Sequence, residues 1–194
     1  MNSDTLTDFR SDLYPCFCKA GDALMNLADA LLTETPAQSL PELALSPFFE
    51  RRWPSLYEAL QDAHIDREAL QKLFAKHAPL PKPGERLVLG GDASSILRVC
   101  SKTAKDRTYV HASNLPEGTK PVRAGWQFST LVVLPQTNSS WTYVLDNRRI
   151  TSEDTQASVM AAQLTQALPL LPLRPLWLGD GYYGSAVFLS LVAD

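Results

Sequence analysis

The sequence has few cysteines and no long apolar run, and each shortage excludes a class of protein. Only three of its 194 residues are cysteine, namely Cys16, Cys18 and Cys100, which is too few for the disulfide framework of a small secreted domain. Cys16 and Cys18 alone would leave a tetrahedral zinc site half empty. No window approaches the ~18 apolar residues that span a bilayer, and the polar start of the chain does not resemble a secretory signal. We therefore expect a protein of the reducing cytoplasm.

The composition is that of a globular protein, but the charge is unevenly distributed. Hydrophobic residues make up 45% of the chain and charged residues 20%, with a net charge of −3. Residues 1–85 carry 13 acidic and 8 basic side chains, whereas residues 86–194 carry 8 acidic and 10 basic ones. Six of those ten basic residues fall within 98–123. Such a stretch attracts a phosphate backbone despite an acidic total, although charge alone fits a solvated loop more simply.

The first part of the chain, residues 1–78, is expected to be helical. Apolar residues recur at three- and four-residue steps from Tyr14 to Leu32. Pro54 is expected near the start of a second helix, and Asp66 is expected to cap a third. Helices in this order form either a DNA-binding helix-turn-helix or a plain helical bundle, and the sequence leaves both readings open.

The pattern changes after the proline-rich segment 79–85, which we interpret as a linker. Residues 86–92, RLVLGGD, form a short apolar run that ends in glycines and an acid, as is typical of a buried strand. Residues 174–180, RPLWLGD, repeat that arrangement. The order of elements therefore includes two strands that each end in an aspartate, Asp92 and Asp180.

Between these two strands the sequence predicts a hairpin and a helix. WQFSTLVVL (126–134) and WTYVL (141–145) are expected to be its two strands, joined by a polar turn at 136–140. The segment TSED (151–154) resembles a capping box and is expected to open a helix that ends before Pro169. The fold class is therefore α/β from residue 86 onward.

Two acid-ended strands that lie side by side would place both carboxylates at one edge of a sheet. Mg²⁺ prefers hard oxygen ligands, commonly one or two carboxylates with substrate phosphate oxygens. Two such ions stabilise both the attacking and the leaving oxygen of a phosphodiester. An aspartate at the end of a strand also commonly caps the next turn, and spacing alone favours that structural role.

The segments LVLGGDASSILR and PLWLGDGYYGSAVFL, whose aspartates are 88 residues apart, resemble the DDE transposases of bacterial insertion sequences, in the IS4/IS701-like group. The basic stretch and the hairpin strand between them are similar to the same group. The resemblance is clear over residues 86–194 and looser over the helical part. It implies a ribonuclease-H-like mixed sheet, incomplete here, preceded by a small all-α N-terminal region.

The resemblance also implies the chemistry and the partners. Asp92 and Asp180 correspond to the first two metal-binding, catalytic acids of the family, which uses Mg²⁺ or Mn²⁺ to hydrolyse and transfer DNA strands at transposon ends. A bacterial cytoplasmic location and a homo-oligomeric transposase are further expectations. The residues expected to bind nucleic acid are Lys102, Lys105, Arg107, Lys120 and Arg123.

The family's third acid, usually a glutamate, follows on a helix beyond at least one further strand, and this chain ends at Asp194 before such an element. We therefore expect a C-terminally truncated copy that is inactive alone. One alternative is a non-catalytic fragment that binds DNA or an intact transposase. Another is a compact ribonuclease-H-type nuclease that uses Glu153, which we expect instead to complement the helix dipole from the first turn. Asp194 lies at a fraying end.

Several other residues carry weaker expectations. His111 is more simply a surface or structural residue than part of the site. Trp126 and Trp141 are expected to be core residues of the hairpin. Of Tyr182 and Tyr183, both near Asp180, we expect one to pack inward.

Overall fold

The computed structural model describes residues 3–112, 120–135 and 141–193. The chain forms two compact units, Met1–Leu73 and Phe74–Asp194. The division lies a few residues before the predicted one, because Ala78 is buried in the core of the second unit. No helix in the described ranges is long and apolar enough to cross a membrane.

The first unit is mostly helical, and local sequence signals place its helices. Ser39 caps a short helix by accepting a hydrogen bond from the backbone N–H of Glu42. Pro54 lies in the first turn of the next long helix, and Asp66 accepts a hydrogen bond from the Ala69 N–H at 3.0 Å at the start of the last. These last two positions confirm the sequence prediction. The helices are α1 (Ser3–Leu13), α2 (Gly21–Thr33), α3 (Leu40–Ala44), α4 (Trp53–Asp62) and α5 (Arg67–Lys76).

The expectation of an all-α first unit is wrong in one respect. Two short strands, β1 (Phe17–Lys19) and β2 (His64–Ile65), pair antiparallel. They interrupt the helix predicted from Tyr14 to Leu32, so that α2 begins only at Gly21. The backbone of Ala20 is left-handed, with φ of 61°, and a right-handed helix cannot pass through that conformation. The strand pairing joins residues far apart in sequence, which helical periodicity does not register.

The second unit is built on a five-stranded mixed sheet, so the α/β fold class is confirmed. Strand β5 pairs antiparallel with β3 along one edge, and with β4 and β6 along the other. Strand β7 pairs parallel with β3. The predicted hairpin is formed by β5 and β6, while its turn at 136–140 lies outside the described residues. The strands are β3 (Val88–Leu97), β4 (Thr108–His111), β5 (Val122–Val133), β6 (Tyr143–Ile150) and β7 (Leu176–Gly179).

One face of this sheet is packed under two helices, α6 (Gln156–Ala167) and α7 (Ala186–Val192). Leu89 and Leu131, on the central strands, are completely buried there against Met160 of α6. The opposite face stays open, and it exposes Leu176, Leu178, Ile96 and Val144 by 40% or more of their surface. The sheet thus has a covered face that forms the core and an open face available to a partner.

Helix α6 begins later than predicted. Its capping box is formed by Thr155 and Ser158, whereas the hydroxyl of Thr151 donates to Asp154 within the preceding turn. Thr151 and Asp154 therefore form a hydrogen bond with each other within this turn and do not cap the helix. Glu153 therefore lies in the turn ahead of the helix, and its expected place in the first helical turn is wrong.

A buried polar pair links α6 to the sheet. Ser129 and Gln163 are both fully buried, and the Ser129 hydroxyl donates to Gln163 Oε1 at 2.6 Å. We expect Gln163→Leu to lower the free energy of unfolding by about 1–3 kcal/mol, because it leaves the Ser129 hydroxyl buried without its acceptor. Urea unfolding measures this. In the double variant with Ser129→Ala part of the loss should be recovered, and additive losses would contradict the explanation.

Candidate metal centre

The two aspartates follow a pair of glycines that lie opposite each other on neighbouring strands. In the parallel pairing of β3 with β7, Gly91 is in register with Gly179. Asp92 and Asp180 are the next residues on their strands, and hydrogen-bonded strands lie about 4.8 Å apart. The fold therefore brings together two acids that are 88 residues apart in the sequence.

Both carboxylates line one open groove of about 480 Å³ on the open face of the sheet. Asp92 and Asp180 are exposed to solvent. The hydroxyl-bearing side chains of Ser94 and Thr130 line the same groove, and Thr130 is opposite Asp92 in the β3–β5 register. The sequence interpretation missed these two residues, although alternation along a strand places Ser94 on the face of Asp92.

Asp180 also has the structural role that an aspartate at a strand end commonly has. Its Oδ1 accepts a hydrogen bond from the Tyr182 N–H at 3.0 Å and caps the short 3-10 helix Gly181–Gly184. This contact fixes the direction of the carboxylate and uses one of its oxygens. A carboxylate has several acceptor positions, so the capping role and metal binding are compatible.

An aromatic cluster supports the loop that follows Asp180. The rings of Trp177 and Tyr183 meet edge to face at 5.4 Å, and Phe188 of α7 packs against both at 5.0 and 5.1 Å. Tyr183 is 2% exposed, whereas Tyr182 is 49% exposed. The expectation that one of the two tyrosines packs inward is confirmed.

Gly91 and Gly179, which precede the two aspartates, leave room for core side chains rather than for a ligand. A Cβ at Gly91 would lie 2.5 Å from Met160 Cε, and one at Gly179 would overlap the ring of Trp177. Both therefore make room on the covered face for core side chains. Of the glycines next to the two aspartates, Gly181 is the one that has open space where a Cβ would be.

Tyr183 offers a test of how the core supports the acids. Burial, followed by the charges of Asp92 and Asp180, raises the pKa of Tyr183 to about 12. Its buried hydroxyl has no hydrogen-bond partner among the described residues. We expect Tyr183→Phe to leave stability unchanged at neutral pH or to raise it by up to about 1 kcal/mol, since a buried hydroxyl without a partner only costs desolvation. Thermal melts at pH 7 measure this.

The same variant should change the response to alkali. An unfolded tyrosine ionises near pH 10, so raising the pKa in the folded state makes the free energy of unfolding fall as the pH rises from about 10 towards 12. One such group contributes a slope of at most about 1.4 kcal/mol per pH unit, and Tyr183→Phe should remove the contribution of Tyr183.

Tyr143→Phe is the matched control, because burial also raises the pKa of Tyr143 to about 12. Its hydroxyl, however, donates to the Phe74 carbonyl at 2.9 Å, so this change should destabilise the protein at pH 7. Equal effects of both variants at pH 7 would contradict this account.

The basic residues expected to bind nucleic acid divide into two groups. Lys102, Lys105 and Lys120 are exposed. The guanidinium of Arg107 donates to the carbonyls of Arg98 and Val99, while that of Arg123 donates to the carbonyls of Lys120 and Val122. These two arginines hold their own loops, so the lysines are the freer candidates for contact with phosphate.

Other residues considered in the sequence lie apart from the two aspartates. Ile150, the last residue of β6, is opposite Gln127, and Glu153 follows it in the direction away from Thr130. His111 is exposed and lies opposite Val122, eight residues along β5 from Thr130.

Two further expectations concern a third acid and Trp141. Within the described ranges, no three histidine, cysteine or acidic side chains come together as a metal site. Asp194 lies outside those ranges. Trp141 is 85% exposed, so its prediction as a core residue is wrong.

A family model described as DDE superfamily endonuclease matches residues 12–191. None of the curated proteins matches the chain. The family match covers the acid-bearing sheet and most of the helical first unit. The chain therefore belongs to the DDE superfamily endonucleases.

Proposed function

We propose that this chain is a transposase-type endonuclease that binds Mg²⁺ or Mn²⁺ through Asp92 and Asp180 and acts on double-stranded DNA at transposon ends. The observation that carries the proposal is the register of β3 and β7, which puts both carboxylates on adjacent strands in one groove. Family membership supports DNA as the substrate.

The chemistry of the groove fits hard divalent cations. Its donors are oxygens, from two exposed carboxylates and from the hydroxyls of Ser94 and Thr130. Mg²⁺ is commonly held by one or two carboxylates, with water and substrate phosphate completing its octahedron. When bound, such ions supply Lewis-acid stabilisation of the phosphodiester oxygens. We propose that the remaining positions are filled by water and by phosphate oxygens.

We propose that the second unit is ribonuclease-H-like and that the chain is of the IS4/IS701-like group. The order of its strands supports the fold. Three antiparallel strands, β3, β5 and β6, are followed by α6 and then by β7, which returns parallel to β3. In this order the first strand and the strand after the helix are neighbours. The residues of the chain that position DNA would be the exposed lysines. Asp92 and Asp180 would hold the metal ions, which would supply Lewis-acid stabilisation at the scissile phosphate.

A cleavage and binding assay tests the proposal. The wild-type chain is incubated with labelled transposon-end duplexes in Mg²⁺, Mn²⁺ or EDTA, and nicking and binding are measured separately. Metal-dependent binding that Asp92→Asn weakens is the expected result of the proposed site. Nicking that Asp92→Asn also abolishes would show that the chain is active alone, contrary to the expectation drawn from its sequence. Binding that needs the metal and Asp92, without nicking, would favour the non-catalytic alternative. Binding and nicking that are indifferent to metal would contradict the proposed site. Glu153→Gln should leave every rate unchanged, and loss of nicking in that variant would favour the compact nuclease.

A further inference from the structure

The open face of the sheet carries a second cluster, at the far end of β3 from the groove. The guanidinium carbons of Arg98 and Arg149 lie 5.4 and 5.0 Å from the centre of the Trp126 ring, close enough for a cation–π interaction. The two arginines reach Trp126 from either side, since Arg98 directly follows β3, Arg149 lies on β6, and both strands pair with β5. We call these three residues the arginine–tryptophan stack.

The stack lies on the same face as Asp92. Residues two apart on a strand share a face, and directly paired residues share it too. Asp92 is opposite Thr130 and Ile96 is opposite Trp126, with no irregularity between them. Arg98 lies two residues beyond Ile96, and its N–H still donates to the Ala124 carbonyl of β5 at 2.9 Å. Its side chain is therefore on the face of Asp92 and Ile96.

Of the three members of the stack, Arg98 has the free charge. Arg149 is ion-paired with Asp106 and also donates to the carbonyls of Lys105 and Asp106. The indole N–H of Trp126 donates to the Lys105 carbonyl at 3.0 Å. Arg98 is exposed, and in the described part of the chain its guanidinium forms no ion pair with a carboxylate. Because it stacks on Trp126, the Arg98 guanidinium has a restricted orientation while it remains exposed to solvent.

The contacts of the stack also hold a basic loop in place. Trp126 and Arg149 bind the loop at Lys105 and Asp106, and hydrogen bonds from Ser152 and then the charge of Arg149 lower the pKa of Asp106. Asp106 therefore stays ionised at neutral pH and keeps its ion pair with Arg149. Lys102 and Lys105 of this loop are exposed.

We propose that Arg98, held by Trp126 and Arg149, grips the phosphate backbone of the DNA duplex at a second point on the open face, and so sets the direction in which the duplex crosses the two aspartates. This inference rests on the proposed function. Six residues of strand separate Arg98 from Asp92, which is about 20 Å. At an axial rise of 3.4 Å per nucleotide, that distance corresponds to roughly six base pairs. The duplex runs along β3, with its scissile phosphate at the groove and its flank on the stack.

Salt-dependent binding of a labelled duplex tests the role of Arg98. We expect Arg98→Gln to weaken binding about fivefold at ordinary ionic strength and to reduce the slope of log affinity against log salt by about 1, as for one lost phosphate contact. Arg98→Lys should keep the slope but bind more weakly, because an ammonium stacks less well on an indole. Arg174→Gln, an exposed arginine just before β7, is the matched control and should behave as wild type.

The place of the contact is tested with single neutral methylphosphonates along each strand. In wild type we expect a loss of affinity at a phosphate roughly six nucleotides from a marked position. That position is the one cleaved by hydroxyl radicals when Fe²⁺ replaces Mg²⁺ and hydrogen peroxide and ascorbate are added. That loss should vanish in Arg98→Gln. An unchanged salt slope and an unchanged phosphonate profile in Arg98→Gln would overturn the inference while leaving the metal site standing. Normal Arg98-dependent binding without Fe²⁺ cleavage near the pair would overturn the metal site alone. If the wild-type chain shows no salt-dependent DNA binding, both proposals fall.

Discussion

Replacing Asp92 with asparagine is expected to weaken Mn²⁺ binding to the groove by about 100-fold or more. The change removes one of two adjacent negative charges while keeping the shape of the side chain. Unit charges about 4 Å apart near a protein surface interact by about 4 kcal/mol, and a divalent ion feels more than a unit charge. Electron paramagnetic resonance of free and bound Mn²⁺ measures the affinity directly, without requiring catalysis.

Controls separate this effect from general changes of charge. Asp62→Asn removes an exposed carboxylate from the first unit, where it pairs with Lys19 at 3.6 Å, and should leave Mn²⁺ binding unchanged. Retention of wild-type affinity in Asp92→Asn would show that the groove does not bind the metal through this residue.

Asp180 allows its two roles to be separated with two substitutions. Asn caps a helix about as well as Asp, so Asp180→Asn should keep the hydrogen bond from the Tyr182 N–H while losing metal affinity. Asp180→Ala should lose both the affinity and about 1 kcal/mol of stability. Equal metal binding by the wild type and both variants would leave only the capping role for Asp180.

Truncation of Phe188 is expected to have the largest effect on stability. Phe188 is 1% exposed and packs against Trp177 and Tyr183 beneath the loop that carries Asp180. Phe188→Ala should lower the free energy of unfolding by about 3–5 kcal/mol, because it leaves a cavity in the core. Urea unfolding at constant protein concentration gives this value from the shift in midpoint.

The controls for this truncation lie on the same helix and at the same site. Leu189→Ala, at a position 55% exposed, should change stability by less than about 0.5 kcal/mol. Phe188→Leu should cost less than Phe188→Ala, because it fills most of the cavity. Since the aromatic cluster supports Asp180, we also expect Phe188→Ala to weaken Mn²⁺ binding. A large loss of stability with unchanged metal affinity would show that Asp180 is positioned by its own cap instead.

Local signals in the sequence predicted the structure correctly where a segment's own residues determine its conformation. Pro54 and Asp66 mark helix starts because each acts on its own first turn. The strands that carry Asp92 and precede Asp180 were visible as short apolar runs. The predicted end of the first strand at Asp92 is wrong: β3 continues to Leu97, because its pairing with β5 extends to Gly125. The start of α6 was misplaced because two capping patterns follow each other within eight residues, and the first closes only a turn.

Non-local contacts account for the remaining errors. The pairing of β1 with β2 joins Phe17 to Ile65, and no periodicity within either segment reveals it. Trp126 was expected in the core, yet it stacks beneath two arginines on the open face. Arg107 and Arg123 looked equivalent to the neighbouring lysines as cations, but their guanidinium groups bind backbone carbonyls.

The sequence by itself determined that Asp92 and Asp180 each follow a short apolar run in strand conformation, because an apolar run followed by glycine and an acid is a local pattern. It also determined the order of elements between them, since periods of two and of three to four residues distinguish strands from helices. Only the tertiary structure decided that these strands are parallel neighbours in register, that Asp180 also caps a turn, and that Arg98 shares the face of Asp92. Register and face depend on which backbone groups pair across the sheet, and those partners lie 28 to 88 residues apart in the chain.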